Sequence, residues 1–274
     1  MKYGIAIRNM GPQSSRATIR ACAAAAESLG YDALFVSDHL CIPPDQTEGS
    51  GGRYLDVLTT LAYLAGATER IRLGISVLVL PYRPAVLTAK QVATIQELSG
   101  ERMILGVGVG WMKPEFDALG VDKRQRGRIT DETLRVIQHL FAHEAAAYKG
   151  DLVSFPAFVF APRPAPPAIW IGGNNEKAIA RVIEFGDGWH PMMPADKLKP
   201  AVDGLKQKLA AKRKSEIEIV VRRGMRFDDL GAAKAKLQAE REAGATYFIL
   251  DLGRYPSEQE FAAQAETFLQ KVAS

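Results

Sequence analysis

Ser37, Asp38 and His39 close the segment LFVSDHL (residues 34–40), where an apolar, strand-like run turns abruptly polar. A strand inside an ordinary core has no use for an acid and an imidazole at its tip. Such groups either satisfy loop backbone or face a ligand. An imidazole titrates near neutrality, so His39 is well suited to give or take a proton. The other histidines are His139, His143 and His190. His139 and His143, in HLFAH, stand four apart, a metal-ligand spacing, but at the far end of a helical run. They read as a half-solvated helix end, and no metal site is expected. His190 follows Trp189 where a second apolar run ends. WIGGNNEKAIARV (170–182) carries a different chemistry. An apolar run reaches Gly172 and Gly173, and a helix opens at about Asn175. The free N–H groups and dipole of a helix start favour an anion. The alternative is a plain tight turn with Asn174 as the helix cap.

These residues need a frame that brings them together. Strand-like runs cover 3–7, 33–36, 72–79, 103–108, 168–172, 187–190, 217–222 and 246–250. Helical periodicity covers about 15–29, 55–67, 84–98, 124–142, 175–185, 195–213, 230–243 and 257–272. Nearly continuous apolar strands fit a parallel sheet buried on both faces. Eight strands strictly alternating with eight helices predict an α/β fold, a (β/α)8 TIM barrel formed as a single domain over residues 1–274. A doubly wound sheet is the alternative. Two connections are too long for the pattern: 37–54 after strand 2, and 143–167 before strand 5. The first reads as a functional lid. The second contains AAYKGDLVSFPAFVF, which predicts a small hairpin over 147–160.

In such a barrel the reactive groups sit at the C-terminal strand ends. Besides Ser37–His39, those ends offer Arg8 and Asn9, then Ser76, and GVGVGWMKPEF (106–116). Gly172 to Asn175 and Trp189–His190 complete the set. Glycines let backbone approach a flat heteroaromatic ligand, and Trp111 and Trp189 could wall it. The basic run KRQRGR (123–128) lies on the same side and could meet an anionic tail.

Composition narrows the partners. With 35 basic and 31 acidic residues, the net charge of +4 does not by itself argue for nucleic acid. Cys22 and Cys41 make neither a metal spacing nor a disulfide framework. The start, MKYGIAIRNMG, lacks the apolar core of a signal peptide, and no run of about 18 apolar residues occurs. The expectation is a cytoplasmic protein that acts on a small molecule, with no membrane partner.

Several long segments together resemble the bacterial-luciferase-like monooxygenase family, in its coenzyme F420-dependent oxidoreductase branch. They are LGYDALFVSDHL, ATERIRLGISVLVLPYRPAVLTAKQVATIQELSGERMILGVGVGW, PEFDALGV with RGRITDE, and IWIGGNNEKAIARVIEFGDGWHP. The resemblance implies a TIM barrel, often a homodimer, with a deazaflavin or flavin ring at its mouth. It implies that Asp38 touches the ring and that His39 is the proton-active catalytic group. Ser76 and Val77 would back the ring, through a cis peptide that the β-branched sequence itself does not suggest. Gly106 and Gly108 would line its edge, and Gly172, Gly173, Asn174 and Asn175 would hold phosphate. Trp111, Trp189 and His190 would shape the substrate pocket. One place departs from the family. The sugar-phosphate dehydrogenase branch has a catalytic glutamate after the strand-4 glycines, where this chain has Trp111. Glu115 is not an obvious replacement, so a more apolar substrate is expected. The implied reaction is hydride transfer between bound F420 and an organic substrate. An FMN-dependent monooxygenase is the alternative. Two further classes are a non-catalytic cofactor-binding protein and a metallohydrolase built on Asp38, His39 and His190.

Overall fold

The computed structural model describes residues 1–212 and 216–274. Its barrel staves are β1 (Lys2–Ala6), β2 (Ala33–Val36), β3 (Arg72–Ile75) continued by β4 (Leu78–Val79), and β5 (Met103–Gly108). A hairpin of β6 (Ala145–Lys149) and β7 (Ser154–Val159) interrupts the series. The staves resume with β8 (Ala168–Gly172), β9 (Gly188–His190), β10 (Glu218–Gly224) and β11 (Tyr247–Asp251). All stave pairings are parallel. They run β3-β2-β1-β11-β10-β9-β8-β5, and a β3–β5 pairing closes the ring.

The helices between staves are α1 (Arg16–Ser28), α2 (Val57–Ala65), α3 (Ala85–Leu98), α5 (Arg126–Ala142), α6 (Glu176–Phe185), α7 (Ala195–Ala211), α8 (Leu230–Glu242) and α9 (Glu258–Thr267). One short helix, α4 (Lys113–Ala118), was not anticipated from periodicity. The end of the expected 195–213 helix, residue 213, lies outside the described residues. The α/β barrel and both insertions match the expectation. The expected strand 72–79 is divided at Ser76–Val77. Among the described residues, no helix is long and apolar enough to cross a membrane.

Alternation along the staves separates two cores. Leu34 and Val36 pack in the layer against the helices. Ala33 and Phe35 point inward, joining Ala6, Ile104, Trp170, Val220, Tyr247 and Ile249. Three aromatic rings fill the interior. Phe35 stacks on Trp170 with centroids 5.5 Å apart, and Trp170 meets Tyr247 edge-on at 4.8 Å. Their space comes from missing side chains. A Cβ on Gly74 would stand 2.1 Å from the Phe35 ring, and one on Gly188 would stand 2.5 Å from Trp170.

The first strand-end residues anchor the 37–54 insertion. Buried Asn9 donates through Nδ2 to the Ser37 carbonyl (2.8 Å) and the Leu55 carbonyl (3.1 Å), and accepts from the Ser37 N–H (3.0 Å). One side chain therefore fastens both ends of the loop. Arg8 donates to the Gly49 carbonyl at 2.5 Å within it. The second insertion is fixed from α5, where buried Glu132 accepts the N–H groups of Leu152 and Val153 at the hairpin turn.

The packing of the interior yields a stability prediction. Phe35 is held between Trp170 and Tyr247 and cannot withdraw from a new methyl group. Gly74→Ala is expected to destabilise the fold by about 1–3 kcal/mol, the usual range for overpacking. Adding Phe35→Leu should recover part of that loss. Urea unfolding of the single and double variants checks both points, and an unaltered midpoint for Gly74→Ala would refute the crowding argument.

Candidate active site

The C-terminal mouth is organised by the interruption between β3 and β4. The Ser76–Val77 peptide is cis there, as the family resemblance implied and the residue types alone did not. The Val77 side chain settles among glycines of neighbouring staves. A Cβ on Gly108 would stand 2.7 Å from Val77, and one on Gly172 would stand 3.3 Å from it. A Cβ on Gly106 would lie 2.0 Å from the Ile75 carbonyl. Gly106 and Gly108 are buried and do not line the open mouth as expected. They make room for the bulge that does.

Asp38 fastens the chain beyond the bulge. Its carboxylate accepts from the Val79 N–H at 2.9 Å and from both Arg83 Nη atoms at 2.7 and 2.8 Å. Arg83 also donates to Asp56 at 3.0 Å. The Asp38 side chain is wholly buried, so it satisfies backbone and an arginine. The expected contact of this carboxylate with a ring is corrected accordingly.

A cavity of about 360 Å³ opens at the bulge, within the size range of small-ligand pockets. Ser76, Val77, Gly172, Gly173, His190 and Arg222 are among the residues lining it. His190 is buried, with Nδ1 3.1 Å from the Val220 carbonyl and Nε2 2.8 Å from Ser76 Oγ. Burial and the nearby Arg222 charge depress its pKa to about 4, against the pull of the Val220 carbonyl. The ring is therefore neutral at pH 7. A carbonyl can only accept, so Nδ1 carries the hydrogen and Nε2 accepts the Ser76 hydroxyl. Arg222 spans the mouth. Its Nη1 donates to Ser37 Oγ (3.0 Å) and the Ser76 carbonyl (3.2 Å), and its Nε donates to Asp251 (3.0 Å). Burial pushes the Asp251 carboxyl up, but Arg222 and the Gly253 N–H bring it below its ordinary value.

His39 stands two residues beyond Ser37, on the rim. Its Nδ1 lies 2.9 Å from Glu115 Oε2. Tyr54 and Trp111 meet the imidazole edge-on, at 5.1 and 6.1 Å between centroids. Trp111 is 63% exposed and so forms an aromatic wall open to solvent beside His39. Glu115 is wholly buried on α4. It also accepts from Tyr82 Oη at 2.8 Å and from the Leu40 N–H at 2.5 Å. Glu115, not an obvious replacement for the family's glutamate in the sequence, is thus brought against His39 by the fold.

The remaining expectations divide. Gly172 and Gly173 line the cavity. Gly173 has φ +119°, a conformation that side chains rarely adopt. Asn175, not Asn174, caps α6, accepting from the Ala178 N–H at 2.9 Å. Asn174 instead clamps the loop after β9, exchanging two 2.7 Å bonds with Met192 backbone. Trp189 is fully buried and packs in the outer core, its indole N–H on the Gly173 carbonyl at 2.8 Å. It supports the turn from behind and does not wall the pocket, since successive strand residues face opposite ways. His190, the next residue, takes the inward position. Arg222 and Asp251 were missed. Asp38, His39 and His190 each have different partners, so the geometry does not assemble them into one ligand set. His139 donates through Nε2 to the Ala147 carbonyl at 2.9 Å and lies tilted beside His143 on the surface. In the basic run, Arg124 pairs with Asp122 and Arg128 with Asp151, both largely solvated.

A closed parallel barrel with a polar, glycine-walled pocket at its strand ends is the architecture of a TIM-barrel enzyme. The chain belongs to the luciferase-like monooxygenase family, whose profile matches residues 1–271. It is 30% identical over 219 residues to an F420-dependent glucose-6-phosphate dehydrogenase of Nakamurella multipartita, covering 75% of this chain and 62% of that protein. The chain spans somewhat under two thirds of the length of the curated relatives it matches. Among solved structures, monooxygenase RslO1 from Streptomyces bottropensis superposes with a TM-score of 0.83 at 18% identity, covering 100% of this chain and 99% of the other. The oxygenating constituent of 3,6-diketocamphane monooxygenase from Pseudomonas putida, in complex with FMN, gives 0.79 at 14%, covering 100% and 98%. At these identities the structures speak for the fold alone.

The depressed His190 predicts an acid-sensitive stability component. The ring titrates near 6.5 when solvated and near 4 in the fold. Between these values the unfolded chain binds the extra proton, so stability falls as pH falls. The contribution is complete above about pH 6.5 and is lost on reaching about pH 4, amounting to about 3 kcal/mol. Urea unfolding of the native protein and of His190→Gln should give a difference that declines over this window. A difference independent of pH there would count against the buried neutral ring.

Proposed function

We propose that the protein is an F420-dependent oxidoreductase that moves a hydride between a bound deazaflavin and an organic substrate. The observation that carries this reading is the pocket at the bulge, whose Arg222 bonds to Ser37, two residues before His39. Val77 gives the pocket an apolar wall. The Gly172–Gly173 backbone gives an edge without side chains, and Arg222 gives a cationic donor. That donor set suits a flat ring bearing carbonyl acceptors. The turn from Gly172 to Asn175 leads into the first turn of α6, whose N–H groups suit the phosphate of the cofactor's tail.

Bound there, the deazaflavin supplies the hydride chemistry, while the protein positions and shields it. Ser76 and Val77 would back the ring, and Arg222 would meet its polar edge. His39 gives or takes the accompanying proton at Nε2, the nitrogen that Glu115 does not engage. Trp111 and Tyr54 form an aromatic rim for a substrate more apolar than a sugar phosphate. FMN is the alternative occupant of the same pocket. A protein that only carries the cofactor would have no need of an imidazole paired with a buried carboxylate, which favours the catalytic reading. The homodimer is proposed on the family resemblance alone.

The test has two stages. Fluorescence titration with F420 and with FMN is expected to show tighter binding of the deazaflavin, and tighter FMN binding would transfer the assignment to a flavin enzyme. His39→Ala should then bind the cofactor as the native protein does, while turnover falls about 10²–10⁴-fold, the usual worth of a general acid–base group. Full activity in that variant would return His39 to a loop-satisfying role.

A further inference from the structure

Glu115, like Asp38, is a wholly buried carboxylate near the mouth, and donors surround it. Oε2 receives His39 Nδ1 at 2.9 Å and Tyr82 Oη at 2.8 Å. Oε1 receives the Leu40 N–H at 2.5 Å and the Cys41 N–H at 3.3 Å. Its side chain is completely buried, and that of His39 is 19% exposed. The pair is 76 residues apart in sequence, joined by the fold of α4 against the loop after β2.

We infer that Glu115 is a positioning residue: it holds His39 as the Nδ1–H tautomer and so keeps the Nε2 lone pair available as the proton-accepting atom. An ionised carboxylate only accepts hydrogen bonds, so the nitrogen facing it must carry hydrogen. Burial pushes the Glu115 carboxyl up, but the bonds from His39, Leu40 and Tyr82 bring it below its ordinary value. Burial and the Glu115 carboxylate raise Tyr82 far above the ordinary phenol range. Glu115 therefore stays ionised and Tyr82 stays a donor. Neither competes with His39 for the proton. The acid absent after the strand-4 glycines is not replaced as a second proton donor. Its nearest counterpart acts through the imidazole.

Glu115→Gln tests this because the amide has only one oxygen. The Leu40 and Cys41 N–H groups are backbone and cannot turn away. The amide oxygen must therefore face them, which aims the NH2 at His39 and Tyr82. Tyr82 can rotate its hydroxyl to accept. His39 can accept only by moving its hydrogen to Nε2, and that consumes the lone pair.

The experiment is ¹⁵N NMR of the histidine side chains at alkaline pH, with His39 assigned by its loss in His39→Ala. The native protein should show His39 with hydrogen on Nδ1, and hydrogen on Nε2 would overturn the inference without any variant. Glu115→Gln should show the Nε2–H form. It should bind F420 within about twofold of the native affinity and turn over about 10²–10⁴-fold more slowly, as expected when the general acid–base group is held in the wrong tautomer. An unchanged tautomer in the variant, or unchanged turnover alongside a changed tautomer, would refute the positioning role. The kinetic arm rests on the oxidoreductase reading, but the tautomer arm needs no cofactor. Failure of F420 binding would therefore be distinguishable from failure of the inference.

Discussion

The mouth of this barrel depends on one broken stave. Strand 3 cannot run straight from Arg72 to Val79, because its chain leaves the sheet at Ser76–Val77 and returns at Leu78. Everything around the pocket accommodates that departure. Gly106 and Gly108 on the adjacent β5, and Gly172 on β8 beyond it, give up their side chains to it. Asp38 reaches from the end of β2 to hold Val79, where the chain re-enters, and the Arg83 fork fixes Asp38 in turn. Breaking a buried pair of this kind leaves an unpaired charge, which typically costs about 3–5 kcal/mol. The bulge is thus held from both sides, and its two residues are presented to the cavity as a rigid wall.

A second constraint follows from closing the barrel. Inward positions below the mouth are filled by Phe35, Trp170 and Tyr247, so nothing polar can descend past them. The first polar inward residues above this layer are Arg222, two positions beyond inward Val220, and His190, which bonds to the Val220 carbonyl. Both sit where apolar packing ends and the cavity begins. Arg222 is tolerated there because Asp251, Ser37 and Ser76 take up most of its donors, with an Nη2 hydrogen left over. This wiring couples the ends of β2, the bulge, β10 and β11 through one guanidinium.

The fold was legible because eight short apolar runs alternate with eight amphipathic ones, and that rhythm admits few architectures. The site was legible in part. His190 and the Gly172–Gly173 turn line the cavity, where a strand end and a glycine pair in the sequence put them. Trp189 was misplaced through ignoring parity. Trp189 and His190 are consecutive on a strand, so only one can face the mouth. The same parity would have found Arg222, since Val220 is the apolar inward residue of its strand. Asp38 looked reactive because an acid at a strand end is ambiguous until its partner is known, and Arg83 lies 45 residues away. Glu115 was named among the strand-end residues, but its pairing with His39 was not legible. It sits on a helix of six residues, too short for periodicity to reveal, and its meaning comes from a contact spanning the rim.

The two histidines of the mouth show why burial alone does not mark a catalytic group. His190 has both ring nitrogens committed, one to the Val220 carbonyl and one to the Ser76 hydroxyl. Gaining a proton there would leave Nε2–H facing a hydroxyl that must reverse, beside the Arg222 cation. The environment opposes the change, and the ring serves as a fixed neutral spacer under the cavity. His39 has one nitrogen committed to an anion, which accommodates either protonation state of the other. Its edge-on aromatic neighbours hold the ring without engaging Nε2. A proton can arrive at or leave that atom with no other hydrogen bond broken. The neighbouring acid and imidazole of LFVSDHL thus have separate partners: Asp38 anchors the re-entry of the broken stave, and His39 turns Nδ1 to the buried Glu115.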